Sequence, residues 1–93
     1  MPVVFFIPGC LRQWTAGKAR VELAGRPATV GDALAMLWEH HPGVRDRVVT
    51  EQGDVRQHVN VFVGVESIRF SGALATPLEG DCEITIVPAV SGG

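Results

Sequence analysis

The residues best suited to chemistry in this sequence are its last three, Ser91-Gly92-Gly93. With Gly93 as the terminal residue, its carboxylate is a reactive group with no side chain crowding it, because glycine admits close approach and backbone angles closed to other residues. The carboxylate is ionised at neutral pH and is a poor electrophile. As an acyl-adenylate its carbon becomes attackable, and a sulfur donor then leaves a terminal thiocarboxylate, whose sulfur is a good nucleophile. Between Pro88 and the end stand only Ala89, Val90, Ser91, Gly92 and Gly93, none with a charged side chain. Fully extended, such a tail reaches about 17 Å, enough to thread into a pocket of another protein. Ordering it costs on the order of 5–10 kcal/mol, so a docking surface on the body must supply part of the binding. A Gly-Gly end also occurs as a plain flexible terminus. Its meaning therefore depends on the body that carries it.

The other reactive side chains do not assemble into a site. Cys10 and Cys82 are too few for a zinc tetrahedron or an iron–sulfur cluster, and they read as reduced thiols of a cytosolic protein. Ile7-Pro8-Gly9-Cys10 has the outline of a lipoprotein cleavage box. However, no Lys or Arg precedes it, and Val3 to Ile7 is too short for a secretory apolar region. No base for a Cys10 nucleophile is identifiable. His40 and His41 are adjacent and point apart on a helix, which fits surface or dipole-capping histidines rather than a metal pair. His58 stands alone, and Glu66 and Asp81 form no recognisable carboxylate pair. No enzyme active site, no metal and no bound cofactor are expected.

Composition narrows the class further. A chain of 93 residues makes one domain, and 46% hydrophobic against 19% charged residues excludes a disordered segment. Net charge is −2, and Lys18 is the only lysine beside the arginines. No basic stripe is available for phosphate backbones, so nucleic acid is not an expected partner. No membrane-length apolar run occurs either, and the expectation is a cytoplasmic protein without membrane contact.

The elements that must position the tail follow from periodicity. Met1 to Pro8 is a β-branched and aromatic run ended by Pro-Gly, a buried strand. Arg20-Val21-Glu22-Leu23 alternates and pairs with it as a hairpin. Thr29 to His41 predicts a helix, with Thr29 as N-cap, Asp32 in the first turn, and Val30, Ala33, Leu34, Leu37, Trp38 and His41 on one face. Pro42-Gly43 ends it, and Val44 to Val49 predicts a short second helical turn. Glu51 to Val55 is a polar loop. From Gln57 to Gly64 the period becomes two, with Val59, Val61 and Val63 on one side and His58, Asn60 and Phe62 on the other. Ile68 to Phe70 is read as a short partner strand, Ser71 to Leu78 as an irregular crossover, and Glu79-Gly80-Asp81 as a turn into a last strand, Cys82 to Val87, stopped by Pro88. The order hairpin, helix, strand, short strand, strand gives an α+β protein. One main helix packs on one face of a mixed four- to five-stranded sheet, a β-grasp or ubiquitin-like roll. Residues 1–88 form the domain and residues 89–93 a flexible tail.

Such a sheet has a second face. If Val3, Phe5 and Ile7 face the helix, then Val4 and Phe6 face outward, and Phe62 and Val87 with them. Phe6, Phe62 and Val87 are the expected partner-docking residues, each worth about 1.5–3 kcal/mol if fully buried by a partner.

Several segments carry a family resemblance. They are His58-Val59-Asn60-Val61-Phe62-Val63, Ile68-Arg69-Phe70-Ser71-Gly72-Ala73-Leu74-Ala75-Thr76-Pro77-Leu78, Gly80-Asp81, and Ile84-Thr85-Ile86-Val87-Pro88-Ala89-Val90-Ser91-Gly92-Gly93. In these the chain resembles the ThiS/MoaD-type ubiquitin-like sulfur carriers over essentially its whole length, and most closely their CysO-like branch. The resemblance implies a protein sulfur donor rather than an enzyme. A ubiquitin-activating-type adenylating and sulfurtransferase enzyme would use ATP to activate Gly93, with Gly92 supporting it. A sulfur-accepting synthase, a cysteine synthase in the CysO-like case, would consume the thiocarboxylate, and a metallopeptidase would release the cysteinyl product and restore Gly93. Two alternatives share the fold and tail: the small subunit of molybdopterin synthase, and a protein modifier forming isopeptide bonds. Gly64-Val65-Glu66 departs from the family pattern, which leads one to expect Asn or Asp in place of Val65. Cys10 and Cys82 have no role in it.

Overall fold

Alternating β-branched and aromatic residues build a single mixed sheet, described here from a computed structural model that covers residues 2–68, 72–78 and 82–88. The expected turn at Glu79-Gly80-Asp81, the segment Arg69-Phe70-Ser71 and the tail 89–93 lie outside the described residues. Strand β1 (Pro2–Phe6) pairs antiparallel with β2 (Arg20–Ala24), Val3 opposite Leu23 and Phe5 opposite Val21. On its other side β1 pairs parallel with β5 (Cys82–Pro88), Val3 opposite Cys82 and Phe5 opposite Ile84. Strand β3 (Val59–Val63) runs antiparallel to β5, with Val61 opposite Ile86, and β4 (Glu66–Ser67) completes the order β2-β1-β5-β3-β4. The first and last strands therefore occupy the middle of the sheet.

Helix α1 (Val30–His40) covers one face. Thr29 is extended, and its hydroxyl accepts the Asp32 N–H at 3.2 Å, satisfying one of the donors that a helix start leaves open. Val30, Ala33, Leu34 and Leu37 are buried in one cluster with the inward side chains Val3, Phe5, Ile7, Val21, Leu23, Val59, Val61, Cys82, Ile84 and Ile86. Pro42 has no N–H to continue α1 but suits the first turn of a new helix, so α2 (Pro42–Val48) starts immediately. The second helical turn expected at Val44 to Val49 is thus a helix with Pro42 inside it, and it adds Val44 and Val48 to the core.

The connection between β1 and β2 is not a tight hairpin turn. A 3-10 helix at Gly9–Trp14 fills it, burying Leu11. Trp14 packs so closely on Gly43 that a Cβ there would overlap the indole, and the Arg47 guanidinium lies 4.4 Å from the centre of the Trp14 ring. Thr15 is fully buried, and its hydroxyl donates to the Lys18 carbonyl at 2.9 Å, while the Lys18 N–H donates to the Thr15 carbonyl at 3.0 Å. The connection is thereby held rigidly at the C-terminal end of β1.

Two readings change near β4. The described partner strand of β3 is Glu66–Ser67, ahead of the expected Ile68 to Phe70, of which Arg69 and Phe70 lie outside the described residues. Only Gly64 and Val65 separate the closing pair Val63–Glu66, so pairing begins at once, and Ile68 has already turned into the core. Gly64 has φ 62 while Val65 is not among the described residues with positive φ. A two-residue connection with positive φ at its first position alone is the II′ type, which needs glycine there and leaves the second position open. This is why Val65 stands where a polar turn residue was expected.

His41, the residue between the helices, donates its backbone N–H to Leu37 O at 2.8 Å. Its imidazole is held below the ordinary 6.5, first by desolvation and then by the positive charges of Lys18 and His40. The folded state therefore binds this proton more weakly than the unfolded chain. The stability linked to His41 is present above about pH 6.5 and is lost as the pH falls through the lower folded value. By nuclear magnetic resonance His41 should titrate below its unfolded position, and Lys18→Gln should move its midpoint upward. For packing, urea unfolding with an unchanged slope should show Leu37→Ala destabilised by about 2–5 kcal/mol and Thr29→Ala by about 1 kcal/mol.

Candidate functional site

The site is built from the sheet face away from α1 and from the point where the chain leaves β5. Strand alternation puts Phe6 on that outer face, and the register lines it up with Arg20 on β2 and Thr85 on β5. Thr85 is opposite Phe62 on β3, and Phe62 is opposite Ser67 on β4. One row across the sheet thus reads Arg20, Phe6, Thr85, Phe62, Ser67. Adjacent strands are about 4.8 Å apart, so the two phenylalanines flank Thr85 at roughly 10 Å from each other. Val87, two residues beyond Thr85 and opposite Asn60, extends the patch toward the end of β5 and is 39% exposed. Phe6 and Phe62 are half-buried, their outer faces open.

The expected docking residues Phe6, Phe62 and Val87 therefore share one face. Val4 does not extend it. It points outward too, but it sits in a row between Glu22 and Glu83, is only 9% exposed and stays outside the core cluster. Its low exposure is a feature that strand alternation alone does not reveal. Glu22 forms an ion pair with Arg20 at 2.9 Å along β2. Both side chains are largely solvated, so the pair marks a polar margin rather than a source of stability.

The patch lies beside the origin of the tail. From Thr85 to Pro88 is three residues, about 10 Å of strand. The tail, Ser91, Gly92 and Gly93 included, then starts from the central strand, next to the Phe6–Thr85–Phe62 row. A partner that covers this row is positioned to receive whatever leaves the end of β5.

Elsewhere the described residues offer little chemistry. Cys10 is exposed, Cys82 is buried, and neither forms a disulfide. His40 Nδ1 lies 3.1 Å from Met36 O, a contact within its own helix. No group of three His, Cys, Asp or Glu side chains capable of holding a metal occurs among the described residues, and no helix there is long and apolar enough to cross a membrane. A depression of about 460 Å³ on the core side of β3 is lined chiefly by Val55, Val59, Val61, Ile68 and Leu74, with Asp54 as its only ionisable group. It contains no nucleophile and no pair of acid and base. The sequence did not disclose the 3-10 helix at Gly9–Trp14, although Pro8-Gly9 marks its start.

Comparison with known proteins agrees with this geometry. The ThiS family model matches residues 6–93. The chain is 36% identical to sulfur carrier protein CysO of Mycobacterium tuberculosis over the full length of both. It is 40% identical to small archaeal modifier protein 1 of Haloferax volcanii over 80% of this chain and 79% of that one. In structure it is similar to the crystal structure of the Amycolatopsis orientalis BexX/CysO complex, with TM-score 0.87 and 37% identity, covering 98% of this chain and 99% of that one. The chain therefore belongs to the ThiS family, a β-grasp protein that stands with the sulfur carriers and not with the enzymes that use them.

Proposed function

We propose that Gly93 is the working terminus of this carrier and that it is charged as a thiocarboxylate for cysteine biosynthesis. The observation that carries the proposal is the departure of the tail from the central strand β5, beside the exposed row of Phe6, Thr85, Phe62 and the adjoining Val87. An activating enzyme of the ubiquitin-activating type covers this row, and Ser91-Gly92-Gly93 enters its nucleotide site. The carboxylate oxygen attacks the α-phosphorus of ATP, pyrophosphate leaves, and the acyl-adenylate forms. A sulfur nucleophile then attacks the acyl carbon and AMP leaves, so one oxygen of Gly93 is replaced by sulfur. No side chain of this chain donates or accepts a proton in these steps. Its contribution is to orient and to present: the half-buried phenylalanines supply binding that offsets the ordering of the tail, and Gly92-Gly93 keeps the acyl carbon unhindered.

The identity to CysO over its whole length supports cysteine synthesis as the destination, with a synthase as sulfur acceptor and a metallopeptidase to free the product. The CysO of Amycolatopsis orientalis forms a complex with BexX, which supports direct docking of this chain to a partner protein. A second reading, attachment of Gly93 to lysines of other proteins, is favoured by the identity to small archaeal modifier protein 1.

Incubation with a cognate activating enzyme, ATP and sulfide should raise the intact mass by the difference between one sulfur and one oxygen. Removing Gly93 should abolish this shift and leave the melting temperature unchanged. A wild-type chain that never gains the sulfur mass, or that yields only lysine adducts on other proteins, rules out the carrier reading. Phe62→Asp should weaken binding to the activating enzyme by about tenfold or more, measured by calorimetry, with the melting temperature retained. Unchanged affinity would remove the aromatic row from the interface.

A further inference from the structure

Resting on the reading that an activating enzyme covers the row of Phe6, Thr85 and Phe62, we propose that Glu83 selects that enzyme by accepting an arginine guanidinium of the partner at the margin of the row. Glu83 precedes Thr85 by two residues on β5, so the two share the outer face. It lies opposite Val4 on β1, and on its other side the Gly64 N–H donates to its carbonyl at 2.9 Å. Thr85, the next outward residue of β5, lies opposite Phe6 and Phe62. The two phenylalanines are therefore diagonal neighbours of Glu83, about 7–8 Å away, a separation that aromatic rings and long side chains bridge.

The surroundings of this carboxylate leave room for a long side chain. Glu83 is exposed, and its neighbour on the β3 side, Gly64, has no side chain. A Cβ at Gly64 would meet nothing within 4 Å among the described residues, so space is open on that flank. The half-buried Phe62 borders it one row further along. Charge is distributed unevenly over the same face. Its outward residues on the described strands include one cation, Arg20, and Glu22 already holds that cation at 2.9 Å. Glu83 has no ion pair among the described residues. The face therefore presents an uncompensated negative charge next to its aromatic row.

A partner that buries Phe6 and Phe62 also strips water from Glu83. A desolvated carboxylate with no counter-charge is costly, so a partner lacking a cation at this spot is rejected and one that carries it is retained. A guanidinium meets the requirement better than an ammonium. Its planar fork engages both carboxylate oxygens, its face stacks on a phenyl ring, and it is the more weakly hydrated of the two cations. Glu83 is thus a specificity residue for docking and takes no part in adenylation or sulfur transfer.

Binding of the full chain to its cognate activating enzyme, measured by calorimetry at about 50 mM and about 500 mM salt, tests this. Glu83→Gln should weaken binding at low salt by about tenfold or more, and Glu83→Arg should weaken it further. Wild-type affinity should fall with added salt, and Glu83→Gln should flatten that fall. Glu66→Gln removes the same charge from a residue off this face and should stay within about twofold of wild type. Both glutamates are exposed, so each variant should keep the wild-type melting temperature. With carrier saturating, wild type should shield from phenylglyoxal one arginine of the enzyme that Glu83→Gln leaves reactive. Sulfur charging of Glu83→Gln, read by intact mass, should keep the wild-type kcat and show only a raised KM. An unchanged affinity, an unchanged salt response, an equal loss in Glu66→Gln, or no arginine shielded would each overturn the inference. A wild-type chain that charges with sulfur while Glu83→Gln binds as tightly fails this inference and keeps the carrier reading. A wild-type chain that neither binds the enzyme nor charges fails both.

Discussion

The parallel ladder between β1 and β5 is the contact on which the rest depends. It sets Val3 against Cys82 and Phe5 against Ile84, and it places the first and last strands of the chain side by side in the middle of the sheet. A parallel pair needs a long crossover, and here everything between Phe6 and Cys82 serves as that crossover, with α1 packed on the face it must cover. The last strand is consequently flanked on both sides, by β1 and by β3. Its first half, Cys82 to Thr85, is paired with β1, and its far end, Ile86 to Pro88, is paired with β3, so the strand is held along its length by the centre of the fold.

Anchorage of this kind separates two demands that conflict in most domains. The body needs a full core, and the cluster from Val3 to Ile86 provides it. The proposed working group at Gly93 needs room for attack, and the sequence beyond Pro88 is short and carries no charged side chain. No side chain in the body has to be strained, unpaired or shifted in acidity for the chemistry. Consistently, no buried side-chain nitrogen or oxygen among the described residues lacks a hydrogen-bond partner. A carrier of this design leaves catalysis to its partners and offers them a grip and a handle.

Much of this was legible in the sequence because it rests on periodicity and local chemistry. The alternation of Val59, Val61 and Val63 fixed a strand and its face. Thr29 followed by Asp32 marked the helix start that the hydrogen bond at 3.2 Å realises. The last strand, read as Cys82 to Val87, takes in Pro88 as well, which pairs with Val59. What escaped reading depended on partners distant in the chain. Val4 has the outward parity of Phe6, yet it is only 9% exposed, and its neighbours across the sheet, Glu22 and Glu83, are brought alongside only by the register. The 3-10 helix at Gly9–Trp14 is held by Gly43 and Arg47 of α2, some thirty residues away. The β4 strand moved to Glu66–Ser67 because a single glycine at φ 62 suffices for the turn, and residue type at the second turn position carried no information about it. Ser91, Gly92 and Gly93 were singled out by chemistry alone and lie outside the described residues.

The ion pair between Arg20 and Glu22 has a further consequence. Strand β2 is an open border of the sheet, with hydrogen-bonding groups available to any strand that meets it. A protein that also carries half-buried phenylalanines on an uncovered sheet face would be prone to stack into aggregates along such a border. Two opposite charges on alternate residues of that strand hold a shell of water there. Charged side chains on an edge strand oppose pairing with a strand of another molecule, so the border discourages edge-to-edge association.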